Sequence, residues 1–143
     1  MRKLTNEELN RKSLKAFKSA EKLPIVIVLD NVRSLHNIGS VFRTADAFLL
    51  QGIYLCGISG RPPHRDIQKT ALGATESVSW EYFDETIKAI DSLKRDSYEI
   101  IGVEQAERSI VLHNFRPEKR KAYALVFGHE VNGVSQEVIN LCD

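Results

Sequence analysis

Asp30, Asn31, Arg33, His36 and Asn37 crowd one short stretch, "LDNVRSLHN", and Arg43 follows soon after. A carboxylate, amides, an imidazole and two guanidiniums together can orient a polar or anionic ligand and stabilise negative charge as it develops. A second group, "GHEVNG" at 128–133, sets Glu130 between Gly128 and Gly133. Glycines there leave backbone N–H and C=O groups open to a ligand. A third, Glu104-Gln105, closes the apolar run "IIGV". Each group also has a plain explanation. Arg43 can pair with Asp46 at i+3 on a helix surface, Glu104-Gln105 can be a polar loop, and Glu130 can face water.

Certain elements must position these residues. "PIVIVL" and "YALVF" are near-continuous apolar runs, the pattern of strands buried on both faces of a parallel sheet. The full reading places strands at 25–29, 53–57, 77–81, 98–103 and 122–127, and helices at 37–50, 66–72, 85–95 and 135–141. Loop 59–65 and an irregular stretch, 105–120, lie between them. Such alternation predicts an α/β fold, a mostly parallel sheet flanked by helices with right-handed crossovers. Ligands of open α/β sheets bind beyond the carboxyl ends of the strands, and all three polar groups follow a strand. Asn37 and Ser135 are the expected N-caps of their helices, and Gly39 in the first turn would permit close approach by another chain or a ligand. Taking Ile38 as reference, Val41, Phe42, Ala45, Phe48 and Leu49 share a helical face, with Arg43 well off it.

Composition bounds the remainder. The chain has 143 residues, 43% hydrophobic and 27% charged, with a net charge of +1, which suits one globular domain. Charge is unevenly spread, because residues 1–22 hold seven Lys or Arg against three Glu. Thr5 and Glu8 form a capping-box pattern that predicts a helix to about Lys22, with Leu9, Ala16, Phe17 and Ala20 as a thin apolar face. On that helix Arg11, Lys15, Lys18 and Lys22 recur at i, i+4, i+7 and i+11, either a solvated face or a stripe for phosphates. "GRPPHRD" adds Arg61, His64 and Arg65, and His36 is either a local hydrogen-bonding group or a contact to the same ligand.

Cys56 and Cys142 show neither a disulfide framework nor metal spacing, which fits a reducing compartment. The first residues lack the apolar core of a signal peptide, and the longest apolar run, Ile25–Leu29, is far short of a membrane span. A soluble cytoplasmic protein is therefore expected. Dinucleotide-binding, P-loop and nucleophile-elbow motifs are absent, as is any His/Cys metal spacing.

"LDNVRSLHNIGSVFRTADAF" resembles the first motif of the SpoU (TrmH-like) RNA 2′-O-ribose methyltransferases of the SPOUT superfamily, with its Asn, Gly and Arg at Asn37, Gly39 and Arg43. "LVFGHEVNGVSQEV" resembles the second, with Gly128, Glu130 and Gly133 in place, and "KTALGA", 69–74, matches a segment between them. The resemblance covers about residues 24–143, preceded by 1–23 as a basic helical extension. It implies S-adenosylmethionine as methyl donor, an RNA ribose as acceptor, a homodimer and a trefoil knot at the cofactor site, with no metal. By resemblance Arg43, Asn37 and Glu130 are catalytic, and Val103, Glu104, Gln105, Gly128, Glu130 and Gly133 bind cofactor. Arg11, Lys15, Lys18, Lys22, Arg61, His64 and Arg65 would hold RNA, a tRNA before an rRNA. The family's third motif carries a Ser-Leu-Asn. No Ser-Leu pair here is followed by Asn before the end at Asp143, so the expectation is a domain lacking that motif, the part with which the family completes its knot and supplies part of the dimer interface. The rival expectations are a non-catalytic RNA-binding relative and, more distantly, another α/β enzyme with a nucleotide cofactor.

Overall fold

Strand β1 (Leu23–Asp30) is the centre of the molecule, and its sequence explains why. In the computed structural model, which describes residues 1–143, Ile27 and Leu29 point to one face of the sheet and Val26 and Val28 to the other. A period of two with both phases apolar requires cover on both sides. One cover consists of α1 (Leu14–Ser19), α2 (Leu35–Ala47), α3 (Arg65–Ala71) and α4 (Ala74–Ser77), which bury Phe17, Ile38, Phe42, Ile67 and Ala74. The other consists of α5 (Thr86–Arg95) and α6 (Gln136–Ile139), which bury Ala89, Ile90, Leu93 and Val138. Burying a side chain such as Phe42 or Ile38 contributes about 2–3 kcal/mol.

The sheet is parallel throughout. Its order is β3 (Trp80–Phe83), β2 (Leu50–Cys56), β1, β5 (Ala122–Phe127), β4 (Tyr98–Gly102). The chain walks outward from β1 to β3, crosses to the opposite edge for β4, and returns to lay β5 against β1. Direction therefore reverses between β1 and β5, where Leu29 stands opposite Phe127. A crevice at such a switch point is where an α/β sheet receives ligands.

Strand β2 begins at Leu50 and not at 53, α6 ends at Ile139 and not at 141, and three further expected elements differ. The Thr5–Glu8 capping box does form, with Thr5 N–H donating to Glu8 at 2.7 Å and Glu8 N–H to Thr5 at 3.4 Å, but it supports only a turn at 6–9. Asn10 then takes a left-handed φ of 46°, a common helix stop. The helix restarts under Ser13, whose hydroxyl accepts from Ala16 N–H, and ends at Ser19. Of the thin apolar face only Phe17 is buried; Leu9 is exposed.

Helix α2 begins at Leu35, not at 37, because Ser34 is its cap and accepts from Asn37 N–H at 3.2 Å. It stops at Ala47, which leaves Phe48 63% exposed. The stretch expected as strand 77–81 is divided between α4 and β3. Ser77 bonds back to Ala74 and across to Asp46, so pairing with β2 starts only at Trp80. No helix is long and apolar enough to cross a membrane.

Candidate functional site

Asp30 ends β1 with its side chain buried, and a buried carboxylate must be supplied with donors. Its oxygens accept from the Thr86 hydroxyl at 2.6 Å, the Asn31 amide at 2.9 Å and the Ser135 N–H at 2.8 Å. One side chain thereby joins the start of α5, its own turn and the loop entering α6. Ser135 does precede α6 as expected, but its hydroxyl makes no capping bond. Asn31 stands at φ 57°, which Asn tolerates, and its carbonyl oxygen accepts from Ile58 N–H at 3.1 Å. Buried Ser59 accepts from Val32 N–H and donates to Leu29 C=O. The loops after β1 and β2 are thus one structure.

Glu130 reaches the same turn from the opposite side. Its carboxylate accepts from Arg33 N–H at 3.0 Å, Ser34 N–H at 2.8 Å and the Asn37 side-chain amide at 3.0 Å. These donors sit at the start of α2, where a helix leaves N–H groups unpaired and its dipole favours an anion. The desolvation of its carboxylate against the turn would raise the Glu130 pKa, but the bonds from Ser34, Arg33 and Asn37 outweigh it and hold the acid at about 2. Asn37 is therefore not the helix cap; its side chain secures Glu130 instead.

The loop carrying Glu130 is closed by His129 and Gly133, which exchange N–H···O=C bonds at 3.0 and 2.8 Å. His129 Nδ1 accepts from the N–H groups of Val131 and Asn132. A Cβ on Gly128 would overlap the backbone of Gly133 and Val134, and one on Gly133, at φ +69°, would strike the Glu104 carboxylate. Glu104 accepts from Gln105 N–H at 2.7 Å and Val134 N–H at 2.8 Å, and these bonds lower its pKa. Glu104 therefore ties the exit of β4 to the loop entering α6. Beside it the N–H groups of Glu104 and Gly128 make no hydrogen bond within the chain, and Val103, Phe127 and Val131 stand exposed. Burial pushes the nearby Cys56 thiol up to about 12, so it is no nucleophile.

Arg43 is exposed and makes no hydrogen bond or ion pair. The expected partner is taken, because Asp46 accepts from the Ser77 hydroxyl at 2.6 Å. Gly39, one turn earlier, admits a close approach, but by a helix of the same chain and not by a ligand or a second chain. A Cβ there would overlap Thr70 and the Ile67 carbonyl, so helix α3 is what approaches. The Thr70 hydroxyl crosses to the His36 carbonyl at 2.8 Å, and the exposed His36 ring makes no hydrogen bond.

The cations expected to hold RNA are divided. Lys15 and Lys18 are exposed on α1, and Arg11 lies before it in irregular chain. Lys22 instead folds back onto the carbonyls of Phe17 and Ala20, with its ammonium 4.6 Å from the Phe17 ring. It closes the helix C-terminus, so the four cations share no helix face. His64 caps α3 by accepting from Asp66 N–H at 3.1 Å, while Arg65 is exposed. Arg61 lies over the Tyr82 ring at 4.2 Å. Thr86, Ser59 and Tyr82 were not singled out in the sequence, since nothing in their local context marks them.

The family model for the SpoU rRNA methylases matches residues 24–143. The chain belongs to that family. A Staphylococcus aureus (strain MSSA476) protein named for the TrmH family of tRNA/rRNA methyltransferases is 32% identical over 130 residues, 91% of this chain and 51% of the relative. The SpoU methyltransferase AviRb from Streptomyces viridochromogenes, solved in complex with the cofactor AdoMet, shares the fold with a TM-score of 0.76 at 19% identity. That match covers 88% of this chain and 51% of AviRb. The TrmH/SpoU tRNA modifying enzyme of A. aeolicus gives 0.75 at 22% identity, over 91% and 64% of the two chains. This SpoU-family chain spans about half the length of the curated relatives it matches. Its two motifs, far apart in sequence, meet where Glu130 grips Asn37.

Proposed function

We propose that this chain is the catalytic core, residues 24–143 with a basic extension at 1–23, of an S-adenosylmethionine-dependent methyltransferase. Its target is a ribose 2′-OH in structured RNA, a tRNA before an rRNA. The observation that carries this reading is Arg43, a guanidinium without a partner on the helix whose first turn Glu130 latches. A guanidinium is a donor-only group that keeps its proton in proteins, so Arg43 acts as a donor and not as a base. It orients the 2′-oxygen and an adjacent phosphate and stabilises alkoxide charge, while a phosphate or water accepts the proton. Glu130 and Asn37 hold the turn from which α2 presents Arg43.

S-adenosylmethionine supplies, when bound, an electrophilic methyl group on a sulfonium. The residues at the ends of β4 and β5 fit such a ligand, with open N–H groups on Glu104 and Gly128 and exposed apolar side chains on Val103, Phe127 and Val131. The backbone from Val103 to Gln105 and from Gly128 to Gly133 would hold it, and the Glu104 and Glu130 carboxylates would fix those loops. Arg11, Lys15, Lys18 and Arg65 would bind phosphates. The enzyme would work as a cytoplasmic homodimer.

Calorimetry with S-adenosylmethionine, followed by transfer of a labelled methyl group to bulk tRNA and rRNA, tests the reading. Nuclease digestion should return the label as a 2′-O-methyl nucleoside. RNA binding without any S-adenosylmethionine binding would identify a non-catalytic RNA-binding relative instead.

A further inference from the structure

Loops at strand ends are usually the mobile part of an α/β protein. The one that follows β2 is anchored. Gly57 N–H bonds to Phe83 C=O at 3.0 Å, Ile58 N–H to the Asn31 side chain at 3.1 Å, and Ser59 holds both Val32 N–H and Leu29 C=O. Gly60 sits so close to Leu35 of α2 that a Cβ would overlap it. The Tyr82 hydroxyl donates to Gly57 C=O at 2.9 Å, which fixes the Tyr82 ring to the same loop. Arg61 follows directly, with its guanidinium 4.2 Å from the centroid of that ring.

Arg61 makes no hydrogen bond or ion pair and is exposed. Its guanidinium carbon lies over the Tyr82 ring, while the residue as a whole stays open to solvent. Were it only a phosphate ligand, nothing would require a ring beneath it; Arg65, four residues on at the start of α3, has no such platform. A guanidinium plane held against an aromatic ring is a prepared surface for a further flat π-system. In RNA that partner is an unpaired base, and loop nucleotides are commonly read by stacking on aromatic rings or arginine planes.

We infer that Arg61, backed by Tyr82, is a stacking platform for an unpaired base next to the acceptor ribose. This inference rests on the RNA reading above and deepens it. The loop bearing Arg61 is bonded to Asn31 and Val32, so a base seated there is placed relative to the turn that starts α2. The platform selects a substrate whose acceptor lies in a single-stranded loop or bulge, not within a duplex.

The test uses the full chain and an RNA stem-loop with 2-aminopurine in its loop. Binding to wild type should quench the 2-aminopurine. Arg61→Lys keeps the charge and loses the plane, so it should weaken binding about five- to tenfold, abolish the quench and leave the salt slope unchanged. Tyr82→Leu should do the same, whereas Tyr82→Phe, which keeps the ring, should retain the quench. Thermal melts of Arg61→Lys should lie close to wild type, because Arg61 makes no hydrogen bond or ion pair and its contact with the Tyr82 ring is one a lysine ammonium can also make. Wild-type affinity and quenching in Arg61→Lys, with Arg61→Ala lowering only the salt slope, would make Arg61 a phosphate ligand and overturn the inference. A wild-type chain that binds no RNA at low salt would overturn the RNA reading itself.

Discussion

Glu130 accepts a hydrogen bond at 3.0 Å from the side-chain amide of Asn37, 93 residues earlier in the chain. The same carboxylate takes the N–H groups of Arg33 and Ser34, so one side chain joins the loop after β5 to the first turn of α2. Those elements follow the two strands that flank the switch point. On the other side of the turn Asp30 bonds to Ser135 N–H, and the two acids clamp β1's exit to the β5–α6 loop from both sides.

Glu130→Gln should loosen this clamp, because an amide offers only one acceptor to three donors and turns its own NH2 toward them. The carboxylate is exposed, so solvent screening reduces the cost to about 1 kcal/mol, or roughly 3 °C in Tm. The pH dependence has a definite sign. The acid is held at about 2, below its ordinary 4.5, so its contribution is complete above pH 4.5 and is lost as the pH falls toward 2. Melting curves of wild type and Glu130→Gln should differ at pH 7 and converge between pH 4.5 and 2. A constant offset across that range contradicts the clamp.

Gly39→Ala sets two effects against each other. Alanine favours a helix interior by about 1 kcal/mol over glycine. The added Cβ, however, would overlap the Thr70 hydroxyl and the Ile67 carbonyl of α3, and a backbone oxygen cannot rotate away. Overpacking of this kind costs about 1–3 kcal/mol, so the variant should melt several degrees below wild type. Adding Thr70→Ala removes one of the two overlaps and should restore only part of the loss. A higher Tm for Gly39→Ala would show that α2 and α3 separate easily.

The α/β class could be read from "PIVIVL" because burial on both faces is written into a strand's own composition. Strand β5 fell on its expected bounds for the same reason, and helix α5 within one residue because Ala89, Ile90 and Leu93 form a single apolar face. The misplacements occurred where a distant partner outcompeted a local rule. Ser34 and Asn37 are both good caps, and the choice fell to Ser34 because Glu130 claims the Asn37 amide. Arg43 and Asp46 satisfy the i+3 rule, yet Ser77, 31 residues away, holds Asp46. The basic stripe is broken at both ends, by the left-handed backbone of Asn10 before α1 and by the stop at Ser19, which leaves Lys22 beyond the helix. Thr86 and Ser59 carry ordinary hydroxyls, and only the fold brings them to Asp30 and Val32.

Arg43→Lys tests the donor role of the guanidinium. Arg43 has no partner in the chain, so the variant should fold and melt like wild type and bind S-adenosylmethionine unchanged. A lysine ammonium cannot offer two parallel donors to an oxygen and a neighbouring phosphate. Loss of such a preorganised donor costs about 10²-fold or more in kcat. Single-turnover methyl transfer to RNA should therefore slow by about that factor, and a rate near wild type would remove Arg43 from the transition state.

Separating the N-terminal cations tests whether they act on RNA or on the fold. Arg11, Lys15 and Lys18 are exposed, whereas Lys22 bonds to the carbonyls that end α1 and lies over Phe17. The triple variant Arg11/Lys15/Lys18→Ala should leave Tm unchanged and flatten the plot of log affinity for RNA against log salt by about two units, since each phosphate left without its cation lowers the slope by about 0.7–0.9. Lys22→Ala should behave the opposite way. It exposes the end of α1 and loosens Phe17, lowering Tm by a few degrees as removal of a helix-end cation does, while the salt slope stays at the wild-type value. If the triple variant keeps its slope, RNA does not cross this helix. If Lys22→Ala changes the slope without changing Tm, its ammonium leaves the carbonyls to meet phosphate.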